Sequence, residues 1–439
     1  MSLCASACRR ERCLACCFAL LLSASMLLLS AAERATDSRR ISLLLTGNTL
    51  GAIEPCGCSR DRNRGGLVRR VAMVKRLKAE NPEALLLDAG NQTAHAESAE
   101  IICEILTMTP YDAVGIGAAD VSLGGAFFKA AGAHALPLVS ATPDAPRDGS
   151  ACPSMRFMSK GDVRWAVTSV AGPSSAKQNA PVVDHSALRA RLAPIMRAMR
   201  GKAEVVVVLS DLGCELDRVV FPGGDGASAP DLVVSRGLRE AEEQSGVWFV
   251  PGPAEADAVV AVSGTRAEGW SDLTVTKLRV GPTDPQDPDA RRAVSGYFAA
   301  QERALLLRAA ERPADWDTKP FAAAEECREC HPKQHRAWQA TAHARATRTL
   351  KDNGRLVPEC LACHSELYRR SKLFPGDDPA AWNGVECATC HGEGILHAQI
   401  GTKGAISRRV AEKTCRGCHD AEHDPGFDYE EKVKLVEHG

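Results

Sequence analysis

The chain is poor in aromatic residues, which make up 5% of its 439 positions, four of them tyrosines. It also lacks net charge, because 54 Lys and Arg stand against 55 Asp and Glu. That balance excludes a protein that holds nucleic acid through bulk positive charge. After the first 35 residues no apolar run reaches membrane-spanning length, which is about 20 residues. Large aliphatic side chains thin out after Cys327, and strand signals stop there too. A tail of 113 residues (327–439) with so few of them cannot fill a core from side chains alone. Something else must occupy its middle.

What is present is unevenly spread. Hydrophobic residues make up 45% of the chain and charged residues 25%, enough for ordinary cores in two or three domains. Of eighteen cysteines, five lie in the first 17 residues, five between 56 and 214, and eight after 326. Nine of the twelve histidines lie between His331 and His438. Cys and His gathered together in the last quarter point to a metal or a metal cofactor.

Residues 1–35 read as a signal peptide. Arg9, Arg10 and Arg12 precede an apolar run from Cys16 to Leu29, which ends in the small residues Ser30-Ala31-Ala32. The run is short for a membrane span, so contact with a membrane is expected only if the segment stays uncleaved as an anchor. The early cysteines precede the run instead of following it, which argues against a lipoprotein. A periplasmic or otherwise exported protein is expected.

From Ile41 to about Val280 strands and helices alternate. Continuous Val/Leu runs at Ile41–Thr46, Leu85–Asp88, Ala113–Gly117, Val205–Ser210, Leu232–Ser235 and Val259–Val262 suit strands covered on both faces. Gly66–Glu80 and Ser186–Gly201 read as helices between them, and Asp272–Val280 alternates as an edge strand does. This gives an α/β domain over 41–280. Residues 281–324 read as a linker, Pro282 to Pro288 by composition and then one amphipathic helix over Asp289–Arg312 with Asp289 as its N-cap. Residues 325–439 form the last domain.

In that domain one five-residue pattern recurs four times: Cys327-Arg-Glu-Cys330-His331, Cys360-Leu-Ala-Cys363-His364, Cys387-Ala-Thr-Cys390-His391 and Cys415-Arg-Gly-Cys418-His419. C-x-x-C-H is the attachment signature of c-type haem. Two thiols three residues apart lie on one side of a helical turn, where both can bond the vinyl groups of one porphyrin. The next residue then presents its imidazole to the iron. Zinc ribbons and disulfides also use paired cysteines, but neither accounts for a histidine after every pair. Four covalently bound c-type haems would supply the missing core. Their attachment outside the cytoplasm agrees with the export signal.

With His331, His364, His391 and His419 proximal, five histidines remain: His335, His343, His397, His423 and His438. His335 and His423 each follow a proximal histidine by four residues, on the same side of the ring, so neither serves its own haem as distal ligand. Both read as polar surface groups. His343, His397 and His438 are far enough away to reach across.

The tail resembles the tetrahaem cytochrome c-554 family. The likeness lies in Trp338, Thr341, His343 and Ala344 after the first motif, in Gly384-Val-Glu-Cys-Ala-Thr-Cys-His-Gly-Glu-Gly394 with His397, and in Phe427-Asp-Tyr429, Lys434 and His438-Gly439. That resemblance implies His343 for the haem on Cys387/Cys390, His397 for that on Cys327/Cys330 and His438 for that on Cys415/Cys418. It leaves the haem on Cys360/Cys363 five-coordinate.

Residues 41–280 resemble the calcineurin-like metallophosphatases, in their 5′-nucleotidase branch. The points of contact are Thr46-Gly-Asn-Thr-Leu-Gly51, Leu87-Asp-Ala-Gly-Asn91, Tyr111–Gly117, Leu209-Ser-Asp-Leu-Gly213 and Asp231–Ser235. Such enzymes hold two metals on Asp, His and Asn side chains. Here Asn48 and Leu50 stand at the Asp and His of the first motif, Asn91 at the Asp of the second, and Ala118-Ala119 at the Asn-His of the third. Asp211 and Ser235-Arg-Gly-Leu238 occupy the later His positions. Leu and Ala bind no metal. The residues that remain, Asn48, Asp88, Asn91, Asp120 and Asp211, could at most hold one hard cation weakly, so a retained fold without its chemistry is expected. Cys56 and Cys58, with Cys103, Cys152 and Cys214, leave an odd number of cysteines outside the haem motifs, so at least one is free or bonded elsewhere.

The expected architecture is α+β multidomain: a metallophosphatase-like α/β sandwich followed by an all-α tetrahaem cytochrome c domain. The expected role is electron transfer with redox protein partners and no nucleic acid. The alternative is a redox enzyme acting on NO, nitrite or hydroxylamine at the Cys360/Cys363/His364 haem. No residue is assigned a catalytic role. Residues 327–439 carry 17 Lys/Arg against 16 Asp/Glu, so charge does not name the partner.

Overall fold

The computed structural model describes residues 39–438 except 56–63, 143–151, 173–183, 225, 227, 254, 267–269, 312–319, 377–383, 403, 405, 421–422 and 425. The signal-peptide segment and the Cys56/Cys58 pair lie outside the described residues. The chain divides into two compact units, the first made of the residues up to Gly51 with Ala72–Val280, the second of Ala52–Val71 with Gly281–Gly439.

The first unit is built on two six-stranded sheets. Its strands are β1 (Arg39–Thr46), β2 (Leu85–Asp88), β3 (Ala113–Gly115), β4 (Leu138–Val139), β5 (Arg156–Lys160), β6 (Val163–Val170), β7 (Val205–Ser210), β8 (Leu232–Ser235), β9 (Glu242–Gln244), β10 (Val247–Pro251), β11 (Ala258–Arg266) and β12 (Trp270–Arg279). One sheet runs β12-β11-β1-β2-β3-β4 and the other β5-β6-β7-β8-β10-β9. The central pairs β1–β2, β2–β3, β6–β7 and β7–β8 are parallel, and the antiparallel pairs fall toward the edges.

The continuous apolar runs are explained by what each face meets. Ile41, Leu43 and Leu45 of β1 share one buried cluster with Leu85 and Leu87 of β2 and with Val205, Val207 and Leu209 of β7, between the sheets. The alternate residues turn outward: Leu44 and Leu86 pack with Met73 and Val74 of the helix Leu67–Glu80, and Val206 and Val208 with Leu188, Leu192 and Met196 of the helix His185–Arg200. Because both faces are covered, neither needs polar residues. The strands end together, which brings Asn48, Asp88, Asn91, Asp211 and Ser235 to neighbouring loops.

The second unit is helical. The stretch read as a linker carries the helix Pro288–Ala310, and its N-cap is Asp287, not Asp289: the Asp287 side chain accepts from Asp289 N and Ala290 N at 3.1 and 3.0 Å. Pro288 then takes the first helical position, where its missing N–H costs nothing. This helix supplies Leu305 to a small cluster with Leu350, Leu356, Leu361 and Phe374, against which Cys360 and Tyr368 pack. Glu54 has a side chain 5% exposed and pairs with both Arg291 and Arg355, tying the 52–71 segment to this unit. The apolar clusters here are few and small, as the composition of the tail requires.

Replacing Leu87, which is fully buried between the sheets, by Ala should lower the stability of the first unit by about 3 kcal/mol. Denaturant unfolding followed by circular dichroism measures it.

Candidate haem-attachment centre and the strand-end carboxylates

Each C-x-x-C-H pattern sits on a short helix or at its end: Ala324–Cys330 with His331 next, Pro358–His364, Cys387–His391, and Glu412–Arg416 with Cys418 and His419 just beyond. The turn is held by backbone bonds from His331 N to Cys327 O and from His419 N to Cys415 O, both 2.9 Å. The first and third motifs are cross-braced, because the Glu386 carboxylate accepts from Ala324 N at 2.8 Å. The attachment thiols also meet between motifs. Cys327 hydrogen-bonds Cys387, which holds the Cys327 thiol below its ordinary value. Cys363 is pushed down to about 6, chiefly by its hydrogen bond with Cys418.

The imidazoles are prepared as ligands. Nδ1 of His364, His391, His397 and His438 donates to the carbonyls of Ala346, Ser407, Thr402 and Val436 at 3.1, 2.7, 2.9 and 2.8 Å. His419 Nδ1 lies 2.9 Å from Asp424 Oδ2. A ring that gives its Nδ1 proton to an oxygen leaves Nε2 bare for a metal, and the partner fixes both tautomer and orientation.

Six of the seven rings stand in pairs. Ring centres are 6.1 Å apart for His331 and His397, 6.1 Å for His343 and His419, and 5.8 Å for His391 and His438. A metal–imidazole bond is about 2 Å and the ring centre lies about 1 Å behind the nitrogen, so two rings on one iron stand roughly 6 Å apart. All three separations fit. For His364 no second histidine ring stands opposite among the described residues. His343 is half-buried, and its pKa is lowered first by that partial burial and then by His419 and His364.

Two of these pairs differ from those the family resemblance implies. The ring of His343 faces His419 of the fourth motif, not His391 of the third, and His438 faces His391 instead of His419. The backbone of His343 explains why chain position misleads. Its carbonyl accepts from Val385 N at 2.9 Å, beside the third motif, and a Cβ on Gly384 would lie 2.4 Å from that carbonyl oxygen. The main chain is pinned beside one motif while the side chain crosses to another. A second correction concerns His335, read as a surface group. It is 4% exposed, its ring 5.3 Å from Trp338 and its Nε2 3.4 Å from Glu325. His423 is half-exposed and bonds Asp420.

In the first unit the residues of the metallophosphatase motifs converge, but on one another. Asn91 Nδ2 donates to Asn48 Oδ1 at 2.9 Å and to Asp211 Oδ1 at 2.8 Å. Ala118 N and Ala119 N donate to Asp211 and Asn91 at 2.8 and 3.0 Å. Arg236 Nε stands 2.8 Å from Asp211 Oδ1, a guanidinium on the carboxylate. Asp120 accepts from the backbone N–H of Asn91, Gln92 and Gly117, and Asp88 from Thr46, Gly90 and Gln92. Asn48, Leu50 and Asn91 keep left-handed backbone, with φ of 50, 49 and 59°, the strain that persists at ligand-holding loops. Among the described residues no three His, Cys, Asp or Glu are grouped to hold a metal ion.

Residues 326–392, which include the first three C-x-x-C-H motifs, match the family Cytochrome c554 and c-prime. The C-terminal part is that of a c-type cytochrome. Cytochrome c-554 of Nitrosomonas europaea is 30% identical over 92 residues, which cover 17% of this chain and 39% of that relative. Among solved structures, the 5′-nucleotidase precursor of Thermus thermophilus is similar with a TM-score of 0.50 at 19% identity, over 62% of this chain and 60% of that one. The calcineurin-like phosphoesterase YfkN of Bacillus subtilis follows with a TM-score of 0.47 at 13% identity, over 60% and 98%. At such identities the likeness is one of fold: the first unit has the metallophosphatase-like fold.

Two outcomes are expected. In haem-loaded protein His343→Ala adds a high-spin signal to the EPR spectrum; the same substitution adds none when Cys415 and Cys418 are replaced by Ser, because the haem it would expose is then missing. In the first unit, burial pushes Asp120 up to about 7 despite its backbone donors, and Asp217 up to about 6. Folded values above the unfolded one mean stability that is complete below about pH 4 and lost as the pH rises toward 7. Asp120→Asn should flatten the upper part of that slope in urea unfolding measured between pH 4 and 8.

Proposed function

We propose that this protein is an exported electron carrier with four covalently bound c-type haems, one on each C-x-x-C-H motif. The observation that carries the reading is the set of three imidazole pairs at iron-bridging separation, each pair including one motif histidine. Haem, when bound, supplies a one-electron couple. The chain's part is to hold it: the eight motif cysteines Cys327, Cys330, Cys360, Cys363, Cys387, Cys390, Cys415 and Cys418 as thioethers, His331, His364, His391 and His419 from one side, and His343, His397 and His438 from the other. Two histidines on one iron leave little room for ligand exchange on reduction, which suits transfer without chemistry. The donor and acceptor are redox proteins not identifiable from charge.

Export rests on the N-terminal segment 1–35 and on the attachment of c-type haem outside the cytoplasm. Among the described residues no helix is long and apolar enough to cross a membrane. The first unit is proposed to work without phosphatase activity, since Ala118, Ala119 and Leu50 replace metal-binding side chains and Arg236 stands on Asp211.

A second reading has its own observation. Among the described residues no histidine ring is paired with that of His364, and the family resemblance leaves the haem on Cys360/Cys363 five-coordinate, so reduction or oxidation of a small ligand there, such as NO, nitrite or hydroxylamine, is the alternative activity.

Protein matured in a host competent for c-type haem should give about four haems per chain by pyridine haemochrome, and no hydrolysis of nucleotides with added divalent metal. Its EPR spectrum should show low-spin signals and one high-spin signal that responds to NO. Absence of haem with bound zinc would sink the proposal. Turnover of nitrite or hydroxylamine would favour the second reading.

A further inference from the structure

Between three of the attachment motifs lies a buried charge cluster to which haem attachment gives no role. Glu366, two residues after His364, is 1% exposed. Its carboxylate takes the Arg369 fork, Nε on Oε2 and Nη2 on Oε1, both at 2.8 Å. Arg370 reaches the same carboxylate, and its Nη2 extends to Ala388 O at 3.3 Å. Thr389, inside the Cys387-Cys390 motif, donates its hydroxyl to Glu366 Oε2 at 2.8 Å. Glu366 N in turn donates to Gly384 O at 3.0 Å. Both carboxylate oxygens are therefore occupied, and the Arg369 fork is committed to them. Two guanidiniums share one buried carboxylate. The other acid on Arg370, Glu393, has a side chain 67% exposed and is screened by water. Two guanidiniums against one buried carboxylate leave one net positive charge, with the Arg369 side chain 39% and the Arg370 side chain 20% exposed, and no pH near neutrality removes it, because arginine does not titrate.

That charge stands among sulfurs of three motifs. Thr389 and Ala388, which the cluster bonds, lie inside the third motif, and Glu366 follows His364 of the second motif by two residues. The field of Arg369 also reaches Cys418 of the fourth motif. A cation at the junction favours the state with one more electron, and charge and burial near a haem are among the features by which a protein sets its potential.

We infer that the Glu366–Arg369–Arg370 cluster is a potential-setting site: its net positive charge raises the reduction potentials of the haems held by Cys360/Cys363, Cys387/Cys390 and Cys415/Cys418. The inference rests on the tetrahaem reading. The step it concerns is addition of one electron to ferric haem, while the cluster itself gains and loses neither electron nor proton. Arg369 acts as a positioning residue through space and is not itself a ligand.

The test is spectroelectrochemical titration of the full-length holoprotein, with the haem count taken first on every variant. Arg369→Gln, at a partly exposed side chain, should keep the full haem count and move the potentials of two or more haems downward. Arg369→Lys, which keeps the charge, should stay near the wild type, and Glu366→Gln should move the potentials upward. A full haem count with unchanged potentials in Arg369→Gln overturns the inference. If that variant loses haem, Glu366→Gln decides: an upward shift supports the inference and an unchanged set of potentials overturns it. A wild-type protein without haem would instead overturn the tetrahaem reading.

Discussion

Opposed imidazoles held roughly 6 Å apart are the constraint on which the second unit depends. A polar ring taken from water must meet a partner or its burial costs free energy, and here the chain arranges one partner for each side of the ring. Nδ1 goes to a carbonyl or carboxylate fixed by the local backbone, as at His391, His397 and His438. The apolar clusters around these rings, such as Phe321 with Leu367 and Ala388, are too small to hold several short helices together. On the tetrahaem reading the haems supply the missing core, and the helices serve as brackets that set distance and tautomer.

The first unit shows the opposite solution to a related problem. Its strand ends still deliver buried carboxylates to one place, and left without cations they would repel one another. Each has been satisfied by the protein itself: Asp120 by three backbone N–H groups, Asp88 by Thr46, Gly90 and Gln92, and Asp211 by Arg236, Asn91 and Ala118. Gly117 lets this happen, since a Cβ there would sit 2.2 Å from Asn91 Oδ1. Hydrogen bonds thus hold the geometry of these loops.

Much of this was legible in the sequence, for physical reasons. A strand covered on both faces must be apolar throughout, and so β1, β2, β7 and β8 announce themselves, while β5, β9 and the short β4 carry mixed or brief patterns that tertiary pairing alone explains. The recurrent C-x-x-C-H spacing is a local property, visible without any fold. The partner of each ring is not local. His343 is bound by its backbone beside Gly384 and Val385, yet its ring meets His419, and only the three-dimensional path decides that. Burial of His335 was hidden for the same reason, because the periodicity that placed it beside His331 says nothing of Trp338 covering it. The N-cap slipped by two residues since Asp287 and Asp289 both precede an apolar pattern, and Pro288 between them is the signal that discriminates.

The charge balance of the second unit completes the argument. Residues 327–439 hold 17 cationic against 16 anionic side chains, and every haem brings two carboxylates with it. On the tetrahaem reading this stretch is acidic overall once loaded, and guanidiniums gathered on buried carboxylates counter that excess. Two clusters of the same composition do so, Glu54 with Arg291 and Arg355, and Glu366 with Arg369 and Arg370. In each a nearly buried carboxylate organises two guanidiniums and leaves one positive charge over. Burial alone would push the Glu366 carboxyl up, but the bonds from Arg369, Arg370 and Thr389 outweigh it and hold the group below its ordinary value. At the other cluster Arg355 lies 4.1 Å over the Phe298 ring and beside Cys360, so its charge, too, stands next to an attachment sulfur. The few buried ion pairs of this unit lie where an added electron would feel them.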